Sequence, residues 1–241
     1  MSKLPLPVEY QGYRTVSAAE MKEIDERCEK EFGLSTLTLM ENAGKAVARE
    51  TLRTLQEGMK LSPEQAIVVI GCGRGHNGGD GLVAARVLKE KQVQTEVFLA
   101  PPKRELGYSP AVQVNLDKAK AAGIPVQILG EDFEVFLQAC KKAHLLLDAL
   151  LGTGSSGKPA GPAHKMIQKM MASKKPILAI DLPSGIHPDT GYHSGAFIQA
   201  VRTLTLGLPK KGLLAPHAQR YVGELLVLDI GFPPQLIQCE R

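Results

Sequence analysis

The sequence predicts an α/β protein in which helices cover both faces of a parallel sheet. Short apolar runs of strand length alternate with helical patterns from about residue 66 onward, the order that builds such a sheet. The first run, Ala66 to Ile70, opens into Gly71-Cys72-Gly73-Arg74-Gly75-His76-Asn77-Gly78-Gly79-Asp80-Gly81, and an apolar helical pattern, Leu82 to Leu88, follows. Two later runs each end in an aspartate and pass directly into a glycine-containing loop.

Ser17, with Glu20 three residues on, reads as the start of a helix that runs to about Lys30 and is broken by Gly33. A second helix is predicted from about Thr36 to Gln56, with Leu37, Met40, Ala43, Val47 and Leu52 at helical spacing as a core-facing stripe. Strands are predicted at Ala66–Ile70, Thr95–Leu99, Val126–Leu129, His144–Ala149, Pro176–Asp181, Thr203–Leu206 and Leu225–Asp229. Helices are expected between most of them, at about Gly79–Lys91, Ser109–Ala122, Asp132–Lys142 and Pro162–Ala172. The last two strands lack a helix of ordinary length between them, so that edge is expected to depart from the simple wound pattern.

Apolar residues make up 44% of the 241 and charged residues 22%, values typical of a packed globular chain, and no linker-like segment divides it. The net charge of +4 is mild, and lysine pairs such as Lys141-Lys142, Lys174-Lys175 and Lys210-Lys211 are scattered. With no tryptophan and no basic stripe carrying aromatic residues, nucleic acid is not an expected partner. Cys28, Cys72, Cys140 and Cys239 are far apart, which suits a reducing compartment. No apolar run approaches the ~20 residues of a membrane helix, and the first residues carry no signal core, so the expectation is a cytoplasmic protein.

The chemistry is expected where a wound sheet places ligands, beyond the carboxyl ends of the strands at the point where the winding reverses. If the first, fourth and fifth strands are neighbours there, three segments converge: the glycine turn with Asn77 and Asp80, then Asp148-Ala149-Leu150-Leu151-Gly152-Thr153-Gly154, then Asp181-Leu182-Pro183-Ser184-Gly185. Glycines in the turn are read as allowing positive φ and close approach to an anion at a helix start, although a tight structural turn also fits Gly73-x-Gly75-x-x-Gly78. The turn lacks the Gly-Lys-Ser/Thr of a P-loop, and the second strand does not end in the carboxylate that grips a ribose. Gly152 to Lys158 offers backbone donors, hydroxyls and a cation to a phosphate, or serves as a flexible connection. Asp148 and Asp181 are read as a functional pair or as strand-end caps. No histidine spacing suits a transition metal, whereas Asn77, Asp148 and Ser184 are oxygen donors suited to a monovalent cation.

Taken in order, Glu41-Asn42-Ala43-Gly44, His76-Asn77-Gly78-Gly79-Asp80-Gly81, Asp148 to Gly154, Asp181-Leu182-Pro183-Ser184-Gly185 and the late Leu206-Gly207-Leu208-Pro209-Lys210-Lys211-Gly212 resemble the YjeF N-terminal domain family of NAD(P)H-hydrate epimerases. The resemblance runs from about Val16 to Pro233 and implies one domain over 1–241, with 1–15 as an extension. It also implies a three-layer α/β/α Rossmann-like sandwich with a mostly parallel central sheet. The implied reaction interconverts the R and S hydrates of NADH or NADPH at C6, so that an S-specific dehydratase restores the cofactor. That dehydratase is expected as a separate protein, and a homodimer is expected by likeness to relatives.

By the match of motifs, the substrate is held by His76, Asn77, Gly78, Gly79, Asp80, Gly152, Thr153, Gly154, Ser155, Ser156, Gly157 and Lys158, with Asp181 beside the ring. Asn77, Asp148 and Ser184 fall on the family's potassium ligands. Asp181 is the expected catalytic acid and base, with its pKa raised by burial, while Asp148 beside a cation stays ionised. Arg74 and His76 stand where the family commonly has proline and asparagine. A binding or scaffold module for protein or RNA partners is the alternative reading, since relatives of this domain serve in that way.

Overall fold

The structure is a computed structural model that describes residues 6–102, 107–155 and 157–237; Lys103, Arg104, Ser156 and Cys239 lie outside them. A short antiparallel hairpin, β1 (Glu9–Tyr10) and β2 (Tyr13–Arg14), leads into helix α1 (Ala18–Phe32). Ser17 caps α1 by accepting the Glu20 amide at 3.2 Å, while the Glu20 carboxylate accepts the Ser17 amide at 2.6 Å. Gly33, at φ 66°, closes the helix in the left-handed conformation. Helix α2 (Thr36–Arg53) buries Leu39, Met40, Ala43, Ala46 and Val47, and it ends in one π-helical turn, Thr54–Gly58.

Seven strands follow: β3 (Ile67–Cys72), β4 (Gln94–Leu99), β5 (Val126–Ile128), β6 (Leu145–Ala149), β7 (Ile177–Ile180), β8 (Arg202–Leu206) and β9 (Glu224–Leu228). They form one sheet, every pair parallel, in the order β5-β4-β3-β6-β7-β8-β9. The expected departure at the last edge is limited to the crossover. Between β8 and β9 the chain makes a 3-10 turn (Lys211–Leu214) and one short helix, Gln219–Val222, yet the strands stay parallel.

Alternate residues of the central strands face opposite cores. Val68, Ile70, Leu145, Leu147, Leu178 and Leu204 pack under α1, α2, α3 (His76–Glu90) and α4 (Pro110–Ala121). Val69, Leu146, Ile177 and Ala179 pack with Phe136 and Cys140 of α5 (Glu134–Lys142) and Met166, Ile167 and Met170 of α6 (Gly161–Ala172). The three layers follow from this period of two. The chain winds outward through β4 and β5, then returns to place β6 on the other side of β3. The reversal therefore lies between β3 and β6, with β7 next to β6, as the site prediction requires.

Candidate active site

The glycine segment is built differently from its sequence reading. Strand β3 runs two residues further than predicted, because Gly71 and Cys72 pair with Asp148 and Ala149 of β6. Helix α3 starts at His76 with Gly75 as its N-cap, so Asn77 to Asp80 are helical. None of its six glycines has positive φ. They are instead sites of close approach: a Cβ on Gly73 would lie 1.8 Å from the Leu150 carbonyl oxygen, and one on Gly78 would lie 1.9 Å from that of Gly73. Gly81 similarly admits Ala149 and Cys72, which draws the start of α3 onto the end of β6.

Asp148, at the end of β6, is fully buried. Its Oδ2 accepts the Ser184 amide at 2.8 Å, and its Oδ1 accepts the Ser184 hydroxyl at 2.7 Å and the Leu150 amide at 3.2 Å. The Ser184 hydroxyl in turn accepts the Leu151 amide at 2.9 Å. Burial pushes the Asp148 carboxyl up to about 6 against these hydrogen bonds. Asn77 donates its amide to the Ile180 carbonyl at 3.1 Å, while its Oδ1 is buried without a partner among the described residues.

Asp181 follows β7 with φ 70°, and the Leu182 amide donates back to the Ile180 carbonyl at 2.9 Å. This is a γ-turn in its strained, positive-φ form. The turn carries Asp181 into a ring of donors. Oδ2 accepts both the Thr153 amide and the Thr153 hydroxyl at 2.7 Å, and Oδ1 accepts the Lys210 ammonium at 2.5 Å. A Cβ on Gly152 would lie 3.0 Å from Asp181 Oδ2 and 3.1 Å from Asn77 Cβ, so only glycine brings these three together without displacement.

The carboxyls here are held in unequal states. Burial pushes Asp181 up, but the Lys210 charge and hydrogen bond and the two Thr153 donors outweigh it and hold the group below the ordinary carboxylate range. The burial expected to raise its pKa is thus overridden by a cation that the sequence reading left out of the site. Asp80, in the first turns of α3, is pushed well above the ordinary value by burial and then by the Asp181 and Asp25 charges, only partly opposed by Lys210. Asp25 of α1 is open to solvent on one side, yet desolvation, with Asp181 adding to it against Lys210, pushes it up to about 6.

The structure brings Asn77, Gly152, Thr153 and Asp181 into one crevice, with the Asp148–Ser184 pair beside it. Ser155 and Gly157 line a cleft of about 60 Å³ with Leu182, His187 and Tyr192. His76 is exposed at the start of α3, and the Lys158 stem packs toward Gly195 instead of toward Asp181. Sequence reading missed Lys210 as a side chain of the site. Its signals were a place inside the apolar stretch Leu204 to Leu214 and in the Pro209-Lys210-Lys211-Gly212 turn, neither of which assigned it a role. Asp25 gave no signal, being one of several carboxylates on a polar helix.

A model of the family described as YjeF-related protein N-terminus matches residues 36–212. The NAD(P)H-hydrate epimerase of Elusimicrobium minutum is 33% identical over 224 residues, covering 93% of this chain and 98% of that protein. The bifunctional NAD(P)H-hydrate repair enzyme Nnr of Pyrobaculum aerophilum is 40% identical over 226 residues, which are 92% of this chain but 42% of that enzyme. The crystal structure of yeast ynu0, YNL200c, superimposes with a TM-score of 0.73 at 27% identity, covering 83% of this chain and 82% of that one. With its matched segment spanning the glycine turn, both strand-end aspartates and Lys210, the chain belongs to the YjeF-related N-terminal family.

Proposed function

We propose that this chain is an NAD(P)H-hydrate epimerase, an isomerase that interconverts the R and S hydrates of NADH and NADPH in nicotinamide cofactor repair. The observation that carries the reading is the convergence of Asn77, Thr153 and Asp181 at the sheet's reversal point, in a chain alignable almost end to end with a relative named for that activity. Residues His76 to Asp80 and Gly152 to Lys158 are the proposed substrate-holding segments, with the nicotinamide ring beside Asp181.

Epimerisation at C6 needs a proton for the departing hydroxyl, an anion facing the ring cation that remains, and a base for the water returning to the opposite face. An ionised Asp181 suits the second and third tasks. It is poorly suited to the first, because Lys210 and Thr153 already stabilise its anionic form. Asp80, buried and without a cation of its own, is the better proton donor. The C6–O bond breaks as the Asp80 proton reaches the hydroxyl, which leaves as water, and the N1 lone pair forms the C6=N1 bond. Water then adds at C6 as that pair returns to N1, and its proton passes to Asp181. Proton exchange with solvent restores the acid form of Asp80 and the anion of Asp181.

The residues proposed for potassium fit a weakly held oxygen-coordinated cation. Asn77 Oδ1 is a buried acceptor without a partner among the described residues, and Asp148 and the Ser184 hydroxyl supply further oxygens. A bound potassium ion would supply positive charge that keeps Asp148 ionised. The proposal extends to a separate dehydratase acting on the S product, to a homodimer formed through the N-terminal helices, where Phe32 and Leu37 are exposed, and to a reducing, cytoplasmic setting for the buried free thiols Cys28, Cys72 and Cys140.

The test is to add the protein with potassium to the separated R and S hydrates and follow their ratio by chromatography. Rapid approach to the equilibrium mixture is expected. No acceleration over the spontaneous rate by folded protein refutes the epimerase and favours the binding module.

A further inference from the structure

Lys210 is 1% exposed, and a lysine ammonium out of water is costly unless every proton finds an acceptor. Here the Nζ donates to Asp181 Oδ1 at 2.5 Å, to the Leu206 carbonyl at 2.9 Å and to the Thr205 hydroxyl at 3.3 Å, so its three protons are all directed. The backbone beneath it is fixed as well. The Val16 amide donates to the Pro209 carbonyl at 3.0 Å, and the Lys211 amide donates to the Val16 carbonyl at 2.9 Å. Lys211 Nζ reaches Glu20 of α1 at 2.8 Å. The segment that leads into α1 therefore clamps the turn that carries Lys210, and the same helix brings Asp25 toward the carboxyls.

We propose that Lys210 is a positioning residue of the epimerase site, holding the Asp181 carboxylate as an anion in one fixed orientation toward the bound ring. The inference rests on the epimerase reading above. Two side chains from different elements bond Asp181, Lys210 after β8 and Thr153 after β6, and the carboxyls in electrostatic reach of it are Asp80 on α3 and Asp25 on α1. Of these only Lys210 brings a positive charge. Burial pushes the Asp181 carboxyl up, so without the ammonium its surroundings favour the protonated form, and both the anion and the base are lost.

The decisive experiment compares hydrate epimerisation by the wild-type chain, Lys210→Met and Lys210→Arg from pH 5 to 9, with the spontaneous rate subtracted. A nearby opposite charge displaces a carboxylate by about 1 to 3 pH units. For Lys210→Met the acidic limb of kcat is therefore expected to move up by about that amount, so that its rate relative to pH 8 falls progressively as the pH is lowered to 5, beyond any change in wild type. KM stays within about threefold, since the substrate-holding segments are untouched. Lys210→Arg, which keeps the charge, is expected to leave the limb in place.

A Lys210→Met profile that superimposes on wild type after scaling by a constant factor overturns the proposal, because a merely structural lysine lowers the rate equally at every pH. If Lys210→Met does not fold, Thr205→Val decides. Loss of one anchor of the ammonium is expected to move the same limb upward by a smaller amount, and an unmoved limb overturns the proposal. Failure of wild type itself to accelerate epimerisation refutes the underlying reading instead, and removes this inference with it.

Discussion

Asp181→Asn changes one charge with almost no change in shape, and asparagine also tolerates the left-handed backbone that Asp181 adopts at φ 70°. Three donors converge on the two carboxylate oxygens: Lys210 Nζ at 2.5 Å and the Thr153 amide and hydroxyl at 2.7 Å. An asparagine offers one oxygen, so its amide must face either the ammonium or the two Thr153 donors. Leaving one member of a buried ion pair uncompensated costs about 3–5 kcal/mol. At about 2–4 °C per kcal/mol for a domain of this size, the melting temperature should fall by about 10 °C. Activity should be lost as well, so activity alone does not separate chemistry from damage.

The double variant Asp181→Asn with Lys210→Met makes that separation. Removing both charges leaves no unpaired ion, and the loss in the double variant should be smaller than the sum of the single losses by about 2 kcal/mol. Stability then recovers while epimerisation does not. Thermal or urea unfolding of the four proteins, alongside the hydrate assay, gives the cycle. Losses that simply add would refute the claim that Lys210 and Asp181 are coupled, and a double variant that regains turnover would refute a chemical role for Asp181.

Asp80→Asn should raise the melting temperature at pH 7 and abolish turnover. A carboxyl whose folded pKa is raised binds its proton more tightly in the folded state, so its contribution to stability falls as pH climbs from the ordinary 3.8 through the raised value. The advantage of Asp80→Asn should accordingly shrink at pH 5; an advantage that does not change with pH contradicts the assignment. Gly73→Ala should fail to accumulate as folded protein, since its Cβ would meet the Leu150 carbonyl oxygen at 1.8 Å with backbone on both sides, and a soluble variant with wild-type circular dichroism and melting would refute this. Ser184→Ala removes the hydroxyl that bridges Asp148 and the Leu151 amide, and should cost about 1–3 kcal/mol with loss of any potassium response. Retention of potassium activation in a kinetic titration would remove Ser184 from the proposed cation site.

The sheet was legible because its strands are buried on both faces and so appear as unbroken apolar runs, Leu145 to Leu147 and Ile177 to Ile180 among them. The convergence of Asp148 and Asp181 was legible because a wound sheet assigns strand ends to one side. Strand and helix ends were less so. Gly71 and Cys72 read as turn, yet their backbones complete the pairing with β6, and the helical start at His76 depends on close packing among glycines, which leaves no periodic signal. Lys210 was hidden for a different reason. Its value comes from a contact with Asp181, 29 positions away in the chain, and a buried lysine next to the half-buried Lys211 looks like an ordinary surface pair.

The ends of β7 and β8 make the same turn with different residues. At β8, Gly207 has φ 70° and the Leu208 amide donates to the Leu206 carbonyl at 2.8 Å. A Cβ there would lie 2.1 Å from Phe232, so packing alone requires glycine. At β7 the same geometry is imposed on Asp181, although a side chain makes this backbone cost about 1–3 kcal/mol. Glycine would be the cheaper residue if the turn were all that mattered. An aspartate in its place is held by bonds that reach across the sheet, from Thr153 after β6 and Lys210 after β8, so the strain is offset only where both neighbours are present. The two turns thus act as a matched pair: one delivers the carboxylate, the other leads into the Pro209–Lys210 segment that delivers its counter-ion, and the residue that departs from the cheapest choice is the one facing the crevice.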